Sequence, residues 1–96
     1  MTALTAVYAH THLDDLTLRQ THRALRTARY WREEASAPLS YYRPSQCRAW
    51  ARQALADAAR LRRQLTALRA LPGRYVTREQ WARITAHAAG HHRQRQ

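Results

Sequence analysis

Apolar residues recur along this chain every three or four positions and hardly ever every two. In residues 46–70, Cys47, Trp50, Ala54, Ala58, Leu61, Leu65 and Leu68 fall in one narrow stripe when each residue is advanced 100° around an axis. That spacing predicts a helix about 37 Å long. The small residues in the stripe let a neighbouring helix approach closely. Residues 12–35 repeat the pattern more broadly: Leu13, Leu16, Ala24, Leu25, Ala28, Trp31 and Ala35 share a face, with Arg19, Arg23, Arg26 and Tyr30 opposite. A third helix is expected over 78–89, burying Trp81, Ile84, Thr85 and Ala88.

The boundaries follow from local chemistry. Thr11 is the expected N-cap of the first helix, with Asp14 at the capping-box position and Asp15 favourable to the dipole. Asp15–Arg19 and Arg29–Glu33 are expected i,i+4 ion pairs. Pro38 and Pro44 frame the connection "SAPLSYYRP", after which Ser45 is expected to cap the second helix. Pro72-Gly73 makes the next turn. Thr77 then caps the third helix with Gln80 as its reciprocal partner, and Val76 and Trp81 are spaced as a hydrophobic staple. Gly90 is the expected stop, leaving "HHRQRQ" as a basic tail. Residues 1–10 read equally as a short helix (Leu4, Val7, Tyr8) or an ordered arm. Strand signals are nearly absent. The expected fold is therefore a single all-α, three-helix bundle-like domain with an N-terminal arm. A chain of 96 residues buries roughly 60–65% of its unfolded surface, so its core is modest and a homodimer would add to it.

One stretch resembles a known segment. Leu68, Leu71, Pro72, Gly73, Arg74, Val76, Thr77, Arg78, Glu79 and Gln80 are similar to the helix–"PGR-V-(S/T)REQ"–helix stretch of winged-helix response regulators of the OmpR type. The resemblance covers about a sixth of the chain. In that family these helices are scaffold, a later helix reads the DNA groove, and a β-hairpin wing follows. This chain has no room for either after Gly90, so the corner is expected to be a bundle hairpin.

Charge changes the picture most. Net charge is +11, with 17 Lys and Arg against 6 acids, and every one of the basic residues is arginine. Lys, Phe and Asn are absent and Ile84 is the single isoleucine, a bias that a GC-rich genome explains. It does not explain the shortage of acids. Residues 1–42 carry five arginines and four acids, whereas residues 43–96 carry twelve and two. A polyanionic partner, DNA or RNA first of all, is expected to meet the second half.

The candidate contact residues are Arg43, Arg48, Arg52, Arg60, Arg63 and Arg69 along the second helix, extended by Arg74 and Arg78 and by Arg93 and Arg95. Arg52, Arg60 and Arg63 should face away from the apolar stripe, with Arg48, Arg62 and Arg69 flanking it. Guanidinium groups bind phosphate bidentately. Tyr41 and Tyr42 could stack on bases or pack on Trp31 or Trp50.

Other chemistries find weaker support. His87, His91 and His92 give H-x3-H-H, and His10 and His12 add two more imidazoles, but Gly90 falls between the first and the pair, so no metal or other cofactor is expected. Adjacent Asp14 and Asp15, or Glu33 and Glu34, point about 100° apart on a helix. Cys47 lies in the apolar stripe and reads as a small buried hydrophobe. No phosphate loop, nucleophile elbow or HExxH appears, so no enzyme is expected. The apolar stripe is too narrow and Ala-rich to favour membrane insertion. A lone cysteine and no leader pattern suggest a cytoplasmic protein. The alternative function is a small inhibitor or adaptor of phage or plasmid type, covering an acidic surface of another protein.

Overall fold

Two helices of 27 residues each, α1 (His10–Ser36) and α2 (Pro44–Ala70), form an antiparallel hairpin that carries the rest of the molecule. The structure is a computed structural model and describes residues 7–90. Cross-contacts fix the antiparallel sense: Trp31 meets Trp50 near the connection, and Asp14 meets Arg69 at the other end. A helix of that length spans about 40 Å, and the molecule measures 62 × 30 × 24 Å. After α2 come β2 (Tyr75–Thr77) and the shorter α3 (Arg78–Gly90), with β1 (Val7–Ala9) leading into α1. The three-helix, all-α expectation therefore holds, with one small sheet added.

That sheet decides between the two readings of the N-terminal segment for residues 7–9, which form an ordered arm and not a helix. Val7, Tyr8 and Ala9 pair antiparallel with Thr77, Val76 and Tyr75. The pairing also replaces the expected Thr11 cap. Helix α1 starts at His10 behind Ala9, with no side-chain cap, because the His10 N–H already donates to the Arg74 carbonyl at 2.8 Å. Asp14, freed from a capping role, turns to Arg69. At the start of α2 the cap is Arg43 and not Ser45: Pro44 takes the first helical position, where its missing N–H costs nothing, and the Cys47 N–H donates to the Arg43 carbonyl at 3.0 Å. Gly90 is the last described residue of α3 and has no positive φ, so it is not the left-handed stop that was expected. The tail, with His91, His92, Arg93 and Arg95, lies outside the described residues, as does Leu4.

The predicted start of α3 is formed as written in the sequence. The Gln80 N–H donates to the Thr77 hydroxyl at 3.1 Å and the Thr77 N–H to Gln80 Oε1 at 2.8 Å. Val76 is fully buried, and Trp81 packs against the cluster that contains it. Gly73 takes φ 90°, a conformation that favours glycine.

The core is divided. Along the hairpin, α2 offers Cys47, Ala51, Ala54, Ala58, Leu61 and Leu65, while α1 offers Ala28 and, unexpectedly, Thr17 and Thr21. Thr21 satisfies its hydroxyl by donating to the Thr17 carbonyl at 2.8 Å, which lets a polar residue sit in an apolar seam. At the sheet end the larger side chains gather: Leu13, Leu68 and Val76 are buried, with Tyr8, Leu71 and Trp81 packed around them. His10 closes that end by donating from Nε2 to the Leu68 carbonyl at 2.7 Å.

Across the same end, Arg69 grips Asp14 through Nε (2.8 Å) and Nη2 (3.1 Å). Those hydrogen bonds hold the Asp14 carboxyl below its ordinary value of 3.8, against partial burial, with the charges of Arg69 and His10 adding to the shift. A depressed carboxylate stabilises the fold above its unfolded-state pKa and loses that contribution as pH falls through its lower folded-state value. Arg69→Met should therefore flatten the acid limb of a urea midpoint against pH below about pH 4. An acid limb as steep as the wild type's would show that the pair does not couple folding to pH.

Candidate functional site

The expected contact residues do not form one face. The structure sorts them into three places.

Near the α1–α2 connection lie Tyr41, Tyr42, Arg43, Arg48 and Arg52. All five are exposed. Because the hairpin is antiparallel, the end of α1 lies beside the start of α2, so Arg26, Arg29 and Arg32 join them, also exposed. Charge followed along α2 alone does not find these three. The paired prolines at 38 and 44 were the signal that α1 and α2 fold back on each other.

In mid-molecule, Arg60 and Arg63 are corrected. They were expected on the free side of α2, but α3 packs there. Arg63 Nη2 donates to the Ala88 carbonyl at 2.9 Å, placing a cation at the C-terminal end of α3, where the helix dipole favours it. Arg63 is thus a structural tie. Arg60 is half-buried and stands 4.0 Å from Asp57. It lines an open cleft of about 700 Å³ left because α3, at 13 residues, covers only part of one face of the hairpin. Leu16, Leu61 and Trp81 floor this cleft, with Arg23 at its side.

At the sheet end, Arg69 is engaged by Asp14, while Arg74 and Arg78 are exposed. Arg62, beside the apolar stripe of α2, is exposed too.

Ion pairing is sparse. Of the seventeen arginines, Arg93 and Arg95 lie outside the described residues. Among the other fifteen, only Arg19, Arg60 and Arg69 come within 4.0 Å of a carboxylate. The expected Asp15–Arg19 pair forms at 3.2 Å; Arg29–Glu33 does not. On α2, Arg48, Arg52 and Arg62 are exposed and make no side-chain hydrogen bond among the described residues, and they fall within about 80° of one another around the helix.

The tyrosines divide between the two expected roles. Tyr42 sets its edge against Trp31 (ring centroids 5.3 Å) and Trp50 (5.1 Å), so it helps to close this end of the hairpin. Tyr41 leans on Tyr42 and is otherwise in water. Cys47 is buried, as its position in the stripe implied. Among the described residues no three His, Cys, Asp or Glu side chains gather, and no helix is long and apolar enough to cross a membrane. Compared with known families, with curated proteins and with solved structures, the chain matches none of them.

Proposed function

We propose that this protein is a nucleic-acid-binding accessory protein, without catalysis of its own, that holds phosphates through exposed arginines of the α1–α2 hairpin. The observation that carries the reading is the surplus of exposed guanidinium groups with no carboxylate partner on a chain of net charge +11. A surface kept only for stability gains from interleaved acids, because like charges one turn apart repel by a few tenths of a kcal/mol per pair. Here α2 carries six arginines and one acid. The contact set is Arg43, Arg48, Arg52 and Arg62 on α2 and its cap, with Arg26, Arg29 and Arg32 beside them. Such contacts position a protein on a backbone without reading sequence.

Leu39 and Tyr41, both almost wholly exposed, favour a second reading: an adaptor or inhibitor that anchors on an acidic protein surface. Salt separates the two. We expect anisotropy titrations with labelled DNA and RNA, from about 50 to 200 mM salt, to weaken linearly in log–log with a slope near −0.9 per phosphate contacted on duplex DNA. An absence of binding at the low end would remove the first reading.

A further inference from the structure

We propose that the tip of the α1–α2 hairpin is a stacking platform for unpaired bases, so that the nucleic acid held by this protein is single-stranded. The proposal rests on the nucleic-acid reading above and names its substrate class.

Five of the chain's eight aromatic residues meet at this tip: Tyr30, Trp31, Tyr41, Tyr42 and Trp50. Their rings form one connected edge-to-face and tilted network with centroids 4.6–5.3 Å apart. The network is graded. Trp31 and Trp50 are half-buried against each other at its base. Tyr42 bridges both. Tyr41 stands outermost on Tyr42, 92% exposed, and Tyr30 flanks Trp31 at 52% exposed. None of these rings belongs to the cluster at Leu13, Leu68 and Val76, which lies at the opposite end of the hairpin. An outer ring in water adds little to stability, since aromatic side chains stabilise by burying area.

The loop that carries the ring is nevertheless restrained. Pro38 and Pro44 restrain the loop, the Ser40 N–H donates to the Ala37 carbonyl at 3.4 Å, and the Tyr42 N–H donates to Ser40 Oγ at 3.2 Å. A restrained loop loses less freedom when something stacks on the ring it carries.

Charge surrounds the same tip. Arg26, Arg29 and Arg32 end α1, Arg43 caps α2, and Arg48 and Arg52 follow in its first turns, all exposed and none in an ion pair. The three ion pairs of the described residues, at Asp15, Asp57 and Asp14, all lie elsewhere. Aromatic faces set in a positive rim are what a single strand requires: phosphates meet guanidinium groups while bases offer their faces. A duplex keeps those faces stacked inside and cannot use Tyr41. A lipid surface would need a broad apolar face, and the apolar stripe of α2 is already spent on α1.

The test compares an oligothymidylate of about 16 nucleotides with a duplex of equal length, on the full chain at fixed salt. Wild type should favour the single strand by about tenfold, the size of one lost or gained stacked base. Tyr41→Ala should remove that preference and leave duplex binding unchanged, Tyr41→Trp should keep it, and single-strand binding should quench the tip's tryptophan fluorescence. Tyr41 is exposed, so these variants should keep the wild-type circular dichroism. Equal binding of both substrates, with no effect of Tyr41→Ala, would overturn the platform while leaving the nucleic-acid reading intact. Binding of neither would overturn both. Binding only to phosphatidylglycerol vesicles, in a Tyr41-dependent way, would overturn the proposal in favour of lipid.

Discussion

Leu68→Ala should cost about 3–5 kcal/mol of folding stability, the upper range for a leucine truncated in a packed core. Leu68 has no exposed surface and joins three elements: it touches the cluster formed by Leu13 of α1 and Val76 of β2. Its carbonyl also accepts the His10 hydrogen bond that ties the start of α1 to the end of α2. The size of the effect follows from how the rest of the core is built. The long seam between α1 and α2 is lined largely by alanine, cysteine and threonine, each of which removes little apolar area from water. The few large buried side chains at the sheet end therefore carry a disproportionate share. The neighbours cannot collapse into the gap, because β1 and β2 are held in register and α3 is pinned by its cap. For a domain of this size, stability in total is about 5–14 kcal/mol. A thermal melt followed by far-UV circular dichroism should fall by at least about 12 °C. Leu39→Ala, at a residue 97% exposed, should stay within about 0.5 kcal/mol of wild type. A small effect at Leu68 would place the core along the alanine seam instead.

That division of the core explains what could be read from the sequence and what could not. The three helices were legible to within two residues: in α1 and α2 a 3.6-residue apolar period repeated over about 25 positions leaves little room for error, and in α3 the cap marks the start. The Thr77–Gln80 box and the Val76–Trp81 staple were legible because both are local. The sheet was not. Three-residue strands show no alternation, and Val7–Ala9 meets Tyr75–Thr77 across nearly 70 residues of chain. Thr17 and Thr21 lie on the same side of α1 as Leu13 and Ala28, but a stripe drawn from hydropathy leaves threonine out; the bond to the Thr17 carbonyl accounts for the buried Thr21 hydroxyl, whereas the Thr17 hydroxyl is buried without a partner among the described residues. The placement of the candidate arginines was legible only in part. Arg48 and Arg52 were rightly placed in solvent. Arg60 and Arg63 were misplaced because nothing local to α2 says on which side α3 will pack; Arg69 lies in solvent beside the stripe as expected, but its partner Asp14, 55 residues away, could not be foreseen.

The same geometry decides which arginines test the function. Arg52, Arg60 and Arg63 share a side of the isolated helix, but reversing Arg63 would break its bond to the Ala88 carbonyl and loosen α3, confusing binding with folding. Arg48, Arg52 and Arg62 avoid that fault. All three are exposed, with no side-chain hydrogen bond or ion pair among the described residues. Glutamate matches arginine closely in helix propensity; glutamates at 48 and 52 would still repel each other one turn apart, but the three changes lower the net charge from +11 to +5 and so ease self-repulsion across the chain. The triple change Arg48→Glu, Arg52→Glu, Arg62→Glu should therefore melt at or above the wild-type temperature. If each arginine neutralises one phosphate of duplex DNA, the salt slope should become shallower by about 2.7, and affinity at about 0.1 M salt should fall by roughly 500-fold. The two readouts must move together, because loss of counterion release is the cause of both. A fall in affinity with an unchanged slope would mean that the arginines meet something other than phosphate, and the acidic protein surface would become the better reading. Unchanged affinity and slope would move the contact to Arg26, Arg29 and Arg32 across the tip, where the same substitution can be made on α1.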